Sequence, residues 1–211
     1  CGDFPISVRI NAAEMLPGGI DLPQAVEMAK ALERAGVDAI NVSRYDEGCI
    51  EPGTWPQGAK RNLTQSIMEA VTIPVIGVSN IKEPAVAEAL LSEGICDFVG
   101  IGRGLLADPH WVRKTLNGQE DIIRKCIGCL TCFEEIVSLR RVACAVNPLC
   151  GRERFFNHPS RVKSAGKQVA VIGGGPAGIE AALVLKRRGF DVHLFDDQKI
   201  LGGTLNVADK G

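Results

Sequence analysis

The sequence predicts an α/β protein built from three segments. Short apolar strands alternate with amphipathic helices over residues 1–118, which is the pattern of β/α units. Residues 119–160 interrupt this alternation with a basic stretch that contains five of the eight cysteines. Residues 161–211 resume it with a strand, a glycine-rich turn, a helix and a second strand. We therefore expect two α/β pieces separated by a cysteine-rich segment.

Composition and charge argue against three classes of protein: disordered, nucleic-acid-binding and membrane-spanning. Apolar residues make up 45% of the chain and charged residues 23%, as in ordinary globular proteins, which argues against intrinsic disorder. The formal net charge of −1 does not indicate a nucleic-acid binder. No apolar run reaches the roughly 20 residues of a membrane span. We therefore expect a cytoplasmic protein without a nucleic-acid or membrane partner.

Four strands and three helices are predicted in the first segment. The strands are expected at residues 4–11, 39–42, 74–78 and 98–101. The first helix should begin at Asp21, a good N-cap residue, and end at Gly36, and further helices are expected over 63–71 and 84–93. Short β-branched strands that alternate with helices are typical of a parallel sheet. Because the chain starts almost directly on a strand, we expect an internal piece of a longer polypeptide.

The cysteines follow the spacing Cys126-x2-Cys129-x2-Cys132-x11-Cys144. Three thiolates bunched on one loop, with a fourth from the next segment, can surround one centre, as in a [4Fe–4S] cluster. A zinc site more often shows two separated pairs of cysteines, and disulfides are typical of secreted proteins. We therefore predict that these four cysteines ligate a [4Fe–4S] cluster, with zinc and disulfides as alternatives. Cys150 lies outside the spacing.

A glycine pattern predicts the start of a dinucleotide-binding unit. A strand at 169–172 runs into the turn Gly173-Gly174-Gly175-Pro176-Ala177-Gly178, and a helix follows over 179–188. In G-x-G-x-x-G the glycines allow a tight turn, a close pyrophosphate and close helix–strand packing. Asp196, directly after a strand at 191–195, is placed where a ribose-binding acid is expected. The pattern does not separate FAD from NAD, although Gly203 in a second glycine-rich turn favours FAD.

Two loops of the first segment predict a phosphate site. The residues that follow its third and fourth strands are Ser79, Asn80, Gly102 and Arg103. In β/α barrels the loops after the last two strands often bind a phosphate, and an arginine fork suits that ligand. The alternative is that Arg103 only pairs with Asp108, which with Pro109 is expected to start the next helix.

Together these segments resemble the iron–sulfur branch of the old yellow enzyme family, which includes 2,4-dienoyl-CoA reductase and trimethylamine dehydrogenase. The matching segments are residues 6–10, 74–78, 97–103, 106–109, 126–129, 144–148 and 173–178. The resemblance implies that residues 1–118 are the C-terminal half of an FMN-binding (β/α)8 TIM barrel. It further implies a [4Fe–4S] segment at 119–160 and the start of a Rossmann-like FAD/NAD(P)-binding domain at 161–211.

The resemblance also implies an activity. In such NADH:flavin oxidoreductases NAD(P)H reduces FAD, the cluster passes electrons to FMN, and FMN reduces an activated C=C bond of an enoate or dienoyl-CoA. Alternatives are an amine dehydrogenase of the trimethylamine dehydrogenase type, and a non-catalytic iron–sulfur/FAD relay module. ADP is an alternative to FAD at the glycine-rich turn. By this resemblance Arg9 lies at the flavin N1/O2 edge, unless it pairs with a carboxylate. The residues implied to hold the FMN phosphate are Ser79, Asn80, Gly102 and Arg103.

The sequence differs from the dienoyl-CoA reductases in two features, and these leave open which branch of the family it belongs to. The spacing between Cys129 and Cys132 is one residue shorter than in the dienoyl-CoA reductases and matches the amine dehydrogenases. The stretch 41–47 lacks the histidine with which the reductases donate a proton. Tyr45 is therefore the candidate catalytic proton donor, or else a rim residue packed on the flavin. We expect the isolated piece to be inactive and poorly soluble, because a half barrel exposes two sheet edges. The full-length protein is compatible with a homo-oligomer acting on a small-molecule substrate.

Overall fold

The structure is a computed structural model that describes residues 3–46, 55–156, 164 and 166–208. Its contacts divide the chain into two compact units, Cys1–Glu153 and Arg154–Gly211. The domain boundary that the sequence predicts at residue 160 lies outside the described residues. Among the helices of the described part, none is long and apolar enough to cross a membrane.

A four-stranded sheet organises the first unit. Its strands are β1 (Ser7–Met15), β2 (Ala39–Asp46), β3 (Val75–Gly77) and β4 (Phe98–Val99). Neighbouring strands are parallel and follow the order of the chain, β1-β2-β3-β4. The helices that lie between successive strands in the chain are α1 (Leu22–Arg34), α2 (Arg61–Met68) and α3 (Pro84–Ser92). The parallel α/β arrangement predicted for this part of the chain is thus confirmed.

The two faces of this sheet differ in chemistry. Side chains alternate between faces along a strand, and the register pairs Arg9 with Asn41 and Ile10 with Val42. Ile10 and Val42 belong to the main apolar core, which also contains Ala25 of α1 and residues of α2. Arg9 and Asn41 therefore point to the opposite face, so the sheet carries polar groups on the side away from these helices.

Helix α1 begins and ends where the sequence predicts. The Asp21 carboxylate accepts a hydrogen bond from the Gln24 amide at 2.9 Å, and the Gln24 side chain accepts one from the Asp21 amide at 3.1 Å. This reciprocal capping box satisfies two donors at the start of the helix. Gly36, with φ of 87°, follows the end of the helix in a conformation that favours glycine.

Short helices cover the region after β4. They are α4 (Arg103–Ala107), α5 (Trp111–Leu116), a 3₁₀ turn (Glu120–Ile122), α6 (Thr131–Val137) and α7 (Glu153–Phe156). The sequence predicts a loop at 102–104 and a helix that starts at Asp108. The structure corrects both, because α4 occupies Arg103–Ala107 and the next helix starts at Trp111. Gly104 is a poor helix former, but a Cβ there would lie 3.3 Å from the Ile81 carbonyl. This contact with a distant part of the chain favours glycine at that position.

Strand lengths also depart from the prediction. β1 starts at Ser7 rather than at residue 4 and continues to Met15 past a register shift between Asn11 and Glu14. β4 contains only two residues. The extension of β1 reflects pairing with β2 beyond the shift, which the apolar pattern of β1 alone does not reveal.

From residue 166 onward, the described part of the second unit forms a parallel pair of strands and two helices. The elements are β5 (Gln168–Ile172), α8 (Pro176–Arg187), β6 (Asp191–Phe195) and α9 (Leu205–Ala208). The predicted order of strand, glycine-rich turn, helix and strand is confirmed. Helix α8 starts at Pro176 rather than at residue 179, because proline at the first helical position has no N–H to leave unsatisfied.

Candidate functional site

A cavity of about 370 Å³ lies beside β3 and β4 in the first unit. Its walls include all five residues of the predicted flavin and phosphate site and the first cysteine of the predicted cluster: Arg9, Ser79, Asn80, Gly102, Arg103 and Cys126. These residues are far apart in the chain, and the parallel sheet brings them to one place.

The loop after β3 is held by its own hydrogen bonds. The Ser79 hydroxyl is buried and accepts a hydrogen bond from the Lys60 amide at 3.0 Å, which leaves its own O–H available as a donor. Asn80 has φ of 47°, a left-handed conformation in which asparagine is enriched. The Asn80 side chain donates to the Trp55 carbonyl at 2.7 Å and accepts from the Arg103 guanidinium at 3.2 Å. Asn80 thus orients the arginine that is predicted to bind phosphate.

The loop after β4 leaves space for a ligand. A Cβ built on Gly102 would meet no atom within 4 Å, whereas one built on Gly100 would lie 2.7 Å from the Val78 side chain. Gly100 is therefore required by packing, and Gly102 borders open space in the cavity wall. The main chain at Gly102 is accessible to a bulky anionic group next to Arg103.

The sheet contributes polar side chains to the same cavity. Arg9 donates a hydrogen bond from its guanidinium to the Ser43 hydroxyl at 3.0 Å. Asn41, the register partner of Arg9, also lines the cavity. Its Oδ1 is buried and has no hydrogen-bond partner within the described part of the chain. Because a buried acceptor without a partner is costly, this oxygen is suited to a ligand that donates a hydrogen bond. The sequence analysis did not identify Asn41. Its position two residues before Ser43 in the same strand places both side chains on one face of the sheet, and this spacing could have pointed to it.

The sequence analysis left open that Arg103 pairs with Asp108, and the structure gives Asp108 other partners. Asp108 is buried and accepts hydrogen bonds from the Lys114 ammonium at 2.5 Å and from the Arg124 amide at 2.9 Å. A third bond comes from the His110 amide at 3.0 Å. Asp108 therefore anchors the chain that leads to the cysteines, while Arg103 points to Asn80 and the cavity.

The four predicted cluster cysteines lie within residues 126–147, a segment that we call the cysteine loop: two precede α6, Cys132 lies in its first turn, and Cys144 follows it. Cys126 accepts a hydrogen bond from the Gly128 amide at 3.4 Å, and the Cys129 thiol lies 3.3 Å from the Thr131 hydroxyl. Burial raises the pKa of the Cys132 thiol, the nearby Cys126 and Cys144 thiols raise it further, and the Arg103 guanidinium opposes them. The Cys126, Cys132 and Cys144 thiols are therefore near enough to interact electrostatically, and Cys126 lines the cavity.

These thiols do not form a preassembled metal site. Within the described ranges no group of three or more His, Cys, Asp or Glu side chains has the spacing of metal ligands. The six cysteines of the described part are free thiols. Disulfides, the alternative to a cluster, therefore find no support among them.

Tyr45 lies outside the walls of the cavity. It occupies the end of β2, opposite Glu14 of β1, with 45% of its surface exposed. Residues 47–54, which follow, lie outside the described residues. Its role as a proton donor stays a prediction.

The glycine-rich turn of the second unit packs tightly. The Gly173 amide donates to the Phe195 carbonyl at 2.8 Å, and a Cβ on Gly178 would overlap the Gly173 carbonyl. Gly175 is the N-cap of α8, followed by Pro176 and Ala177 in its first turn, and a Cβ there would meet no atom within 4 Å. Close packing therefore requires glycine at position 178, whereas Gly175 borders open space.

The predicted ribose acid lies against this turn. The Asp196 carboxylate accepts hydrogen bonds from the Gly174 amide and, at 2.7 Å, from the Gln198 amide. These two bonds lower the pKa of Asp196, in that order of importance. A Cβ on Gly203 would lie 3.3 Å from the Gly175 Cα, so the second glycine-rich turn contacts the first.

Two family models match the chain. The model described as NADH:flavin oxidoreductase / NADH oxidase family matches residues 1–121. The model described as FAD dependent oxidoreductase matches residues 168–208.

Individual proteins resemble the chain over almost its whole length. An NADH oxidase from Thermoanaerobacter brockii is 42% identical over 98% of the chain, which covers 32% of that protein. A 2-naphthoyl-CoA reductase solved with 2-naphthoyl-CoA is 27% identical, with a TM-score of 0.86 over 97% of the chain and 32% of that structure. Histamine dehydrogenase from Rhizobium sp. 4-9 is 30% identical, with a TM-score of 0.81 over 96% of the chain and 30% of that structure. The chain spans about a third of the length of each of these relatives.

Proposed function

Because the chain belongs to the NADH:flavin oxidoreductase / NADH oxidase family, we propose that it is part of an FMN-, [4Fe–4S]- and FAD-dependent oxidoreductase. In this proposal residues 1–118 are the C-terminal half of an FMN-binding TIM barrel, residues 119–160 hold the cluster, and residues 161–211 begin the FAD-binding domain. With these groups bound, electrons from NAD(P)H would pass through FAD and the cluster to FMN, which supplies a hydride to an activated C=C bond of a small-molecule substrate.

The cavity is the observation that carries the proposal. It is lined by the residues that we predict to bind FMN, although they come from different strands and loops. Its volume of about 370 Å³ lies within the range of roughly 300–1,000 Å³ that is usual for cofactor and ligand pockets. A relay module without a substrate would have no need of such a cavity.

Each part of the cavity wall has a task in FMN binding. The Arg103 fork, oriented by Asn80, would pair with the phosphate, and the open space at Gly102 would admit it. The Ser79 hydroxyl would donate a further hydrogen bond to a phosphate oxygen. Arg9 would stabilise negative charge at the N1/O2 edge of the reduced flavin. The Asn41 oxygen, which lacks a partner in the described part, would accept a hydrogen bond from the flavin or its ribityl chain.

The cysteine loop supports the cluster in the same proposal. Thiolates are the ligands that [4Fe–4S] clusters take, and Cys126 lies in the cavity wall. A cluster held by Cys126, Cys129, Cys132 and Cys144 would therefore adjoin the flavin. Tyr45 is our candidate proton donor, because active sites of TIM barrels lie at the carboxyl ends of the strands.

An amine dehydrogenase is the second candidate. The two-residue spacing between Cys129 and Cys132 favours it, as does the structural similarity to histamine dehydrogenase. Assays of the holoenzyme would separate the two. Reduction of cinnamate-type enoates or enoyl-CoA esters by NAD(P)H supports the first, and oxidation of amines, with histamine and methylated amines as probes, supports the second.

The FMN site is tested by replacing Arg103. We predict that Arg103→Met weakens FMN binding by the holoenzyme about 10- to 100-fold, the equivalent of one hydrogen bond to a charged group. The dissociation constant would be measured by titrating the apoprotein with FMN and following flavin fluorescence. Arg113→Met, at an exposed position in α5, is the matched control and should bind as the wild type does. Unchanged FMN affinity in Arg103→Met would contradict the site.

A further inference from the structure

Asn147 joins the cysteine loop to the wall of the flavin cavity. Only 4% of its surface is exposed, and both ends of its amide are used. Nδ2 donates to the Leu106 carbonyl at 2.8 Å. Oδ1 accepts from the Leu149 amide at 3.1 Å and from the Arg124 guanidinium at 3.3 Å. One buried side chain thus bridges three separate pieces of the first unit.

The first of these pieces is α4. Leu106 lies in the last turn of this helix, where main-chain carbonyls have no partner within the helix. The same helix begins at Arg103, whose guanidinium lines the cavity. The bond from Asn147 therefore fixes the end of the element that carries the predicted phosphate ligand.

The second piece is the approach to the first cysteine. Arg124 lies two residues before Cys126 and is held at both its ends. Its amide donates to Asp108 at 2.9 Å, and its side chain donates to Asn147 at 3.3 Å. Asp108 in turn directly follows α4. The contacts of Arg124 with Asp108 and Asn147 therefore hold the chain just before Cys126, which lines the cavity.

The third piece is the return of the cysteine loop. The Asn147 amide donates to the Cys144 carbonyl at 3.3 Å, and the Asn147 carbonyl accepts from the Cys150 amide at 3.2 Å. The main chain of Asn147 therefore sets the turn that presents Cys144, while its side chain ties that turn to α4 and Arg124.

We propose that Asn147 is a positioning residue that fixes the distance between the cluster cysteines and the flavin cavity, and so controls electron transfer between them. This inference rests on the proposed function. An amide is required, because the site needs one donor toward the Leu106 carbonyl and one acceptor toward Arg124. A carboxylate of the same shape would face the Leu106 carbonyl with a second acceptor and push α4 away from the cysteine loop.

The test compares Asn147→Asp and Arg124→Lys with wild-type holoenzyme. Arg124→Lys keeps the positive charge near the cysteines but removes the guanidinium that reaches Asn147. Each variant would be assayed for iron, acid-labile sulfide and flavin per chain. Laser-flash reduction with a 5-deazaflavin, followed at the flavin and cluster absorbance bands, would then give the rate of electron redistribution. Asn117→Asp, at an exposed position at the end of α5, is the matched control.

We expect Asn147→Asp to retain its iron and flavin but to redistribute electrons about 10-fold more slowly, because the Leu106 carbonyl loses its donor and no longer holds α4 to the cysteine loop. Arg124→Lys should slow the same step, because it removes the contact through which Asn147 holds the approach to Cys126. The control should match the wild type.

Three outcomes would overturn the inference. If Asn147→Asp binds iron and flavin and redistributes electrons at the wild-type rate, Asn147 has no positioning role, and the proposed function is unaffected. Loss of both cluster and flavin from Asn147→Asp, with a wild-type rate in Arg124→Lys, would assign Asn147 a general folding role instead. Wild-type protein without iron and sulfide would reject the proposed cluster, and with it the premise.

Discussion

Asp108 is the residue on which the approach to the cysteines depends most. Only 4% of its surface is exposed, and its carboxylate receives three hydrogen bonds, from Lys114 and from the amides of His110 and Arg124. Burial by itself raises the pKa of this carboxyl, but the bonds from Lys114 and the two amides outweigh it and lower the pKa below the ordinary value. A buried charge is stable here because every side of it has a donor.

Asp108→Asn should therefore destabilise the protein at neutral pH. The expected loss is about 1.5–3 kcal/mol, since hydrogen bonds to a charged group are weakened or lost. Because the folded pKa is lowered, the stabilisation is present above the ordinary pKa of about 3.9 and is lost as pH falls below it toward the folded pKa. Urea unfolding at pH 7 and at about pH 3.5 measures the difference between variant and wild type.

The difference in unfolding free energy between wild type and Asp108→Asn should be large at pH 7 and smaller at about pH 3.5. The same gap in unfolding free energy at both values would contradict the account, because it would mean that the charge of Asp108 is not what its three partners recognise.

The turn between β5 and α8 shows how an element separates structural from ligand-binding positions. Gly178 has no room for a side chain, because the Gly173 carbonyl occupies that space. Gly175 has free space beside its Cα and extended backbone that any residue can adopt. In dinucleotide-binding turns the corresponding glycines serve helix packing and pyrophosphate approach, respectively.

The two glycines should therefore respond differently to alanine. Gly178→Ala should lower the unfolding temperature of the second unit, because the added methyl displaces α8 from β5. Gly175→Ala should leave stability within about 0.5 kcal/mol of wild type yet weaken binding of FAD or ADP. Thermal unfolding and nucleotide titration of both variants measure this. Equal stability of the two variants, or full nucleotide affinity in Gly175→Ala, would argue against the assignment.

Elements with strong local signals were predictable from the sequence. The start of α1 follows from Asp21 and Gln24, and its end from Gly36, because capping depends on neighbours in the chain. The glycine-rich turn and β6 follow from equally local patterns. By contrast, α4 contains Gly104, where a Cβ would lie 3.3 Å from the Ile81 carbonyl, and a contact so distant in the chain is not revealed by a local pattern.

The candidate site was predictable in part. Arg9, Ser79, Asn80 and Arg103 were singled out by strand ends and by family resemblance, and the structure gathers them around one cavity. Asn147 was not identified, because its role depends on contact with Leu106, which lies 41 residues earlier in the chain. Contacts of that kind follow from the register and docking of elements rather than from spacing along the chain.

Across the chain as a whole, two units carry different predicted sites. The first unit contains the cavity and the cysteine loop, and the second contains the glycine-rich turn that we predict to bind a dinucleotide. The two matching family models divide the chain in a similar way, one over residues 1–121 and the other over residues 168–208. The four cysteines lie between the two matched ranges, and a cluster held by them would connect the two flavin chemistries. The proposed function therefore depends on iron and sulfide bound by these cysteines.

The most direct measurement is the content of iron, acid-labile sulfide and zinc in anaerobically purified protein, together with its absorbance spectrum. We predict about four iron and four sulfide per chain, as in a [4Fe–4S] cluster, and a broad shoulder near about 400 nm that bleaches on reduction. Cys129→Ser should lose the cluster, whereas Cys96→Ser, at a buried cysteine outside the loop, should keep it. Stoichiometric zinc without sulfide would contradict this prediction and remove the cluster from the proposed path of electrons.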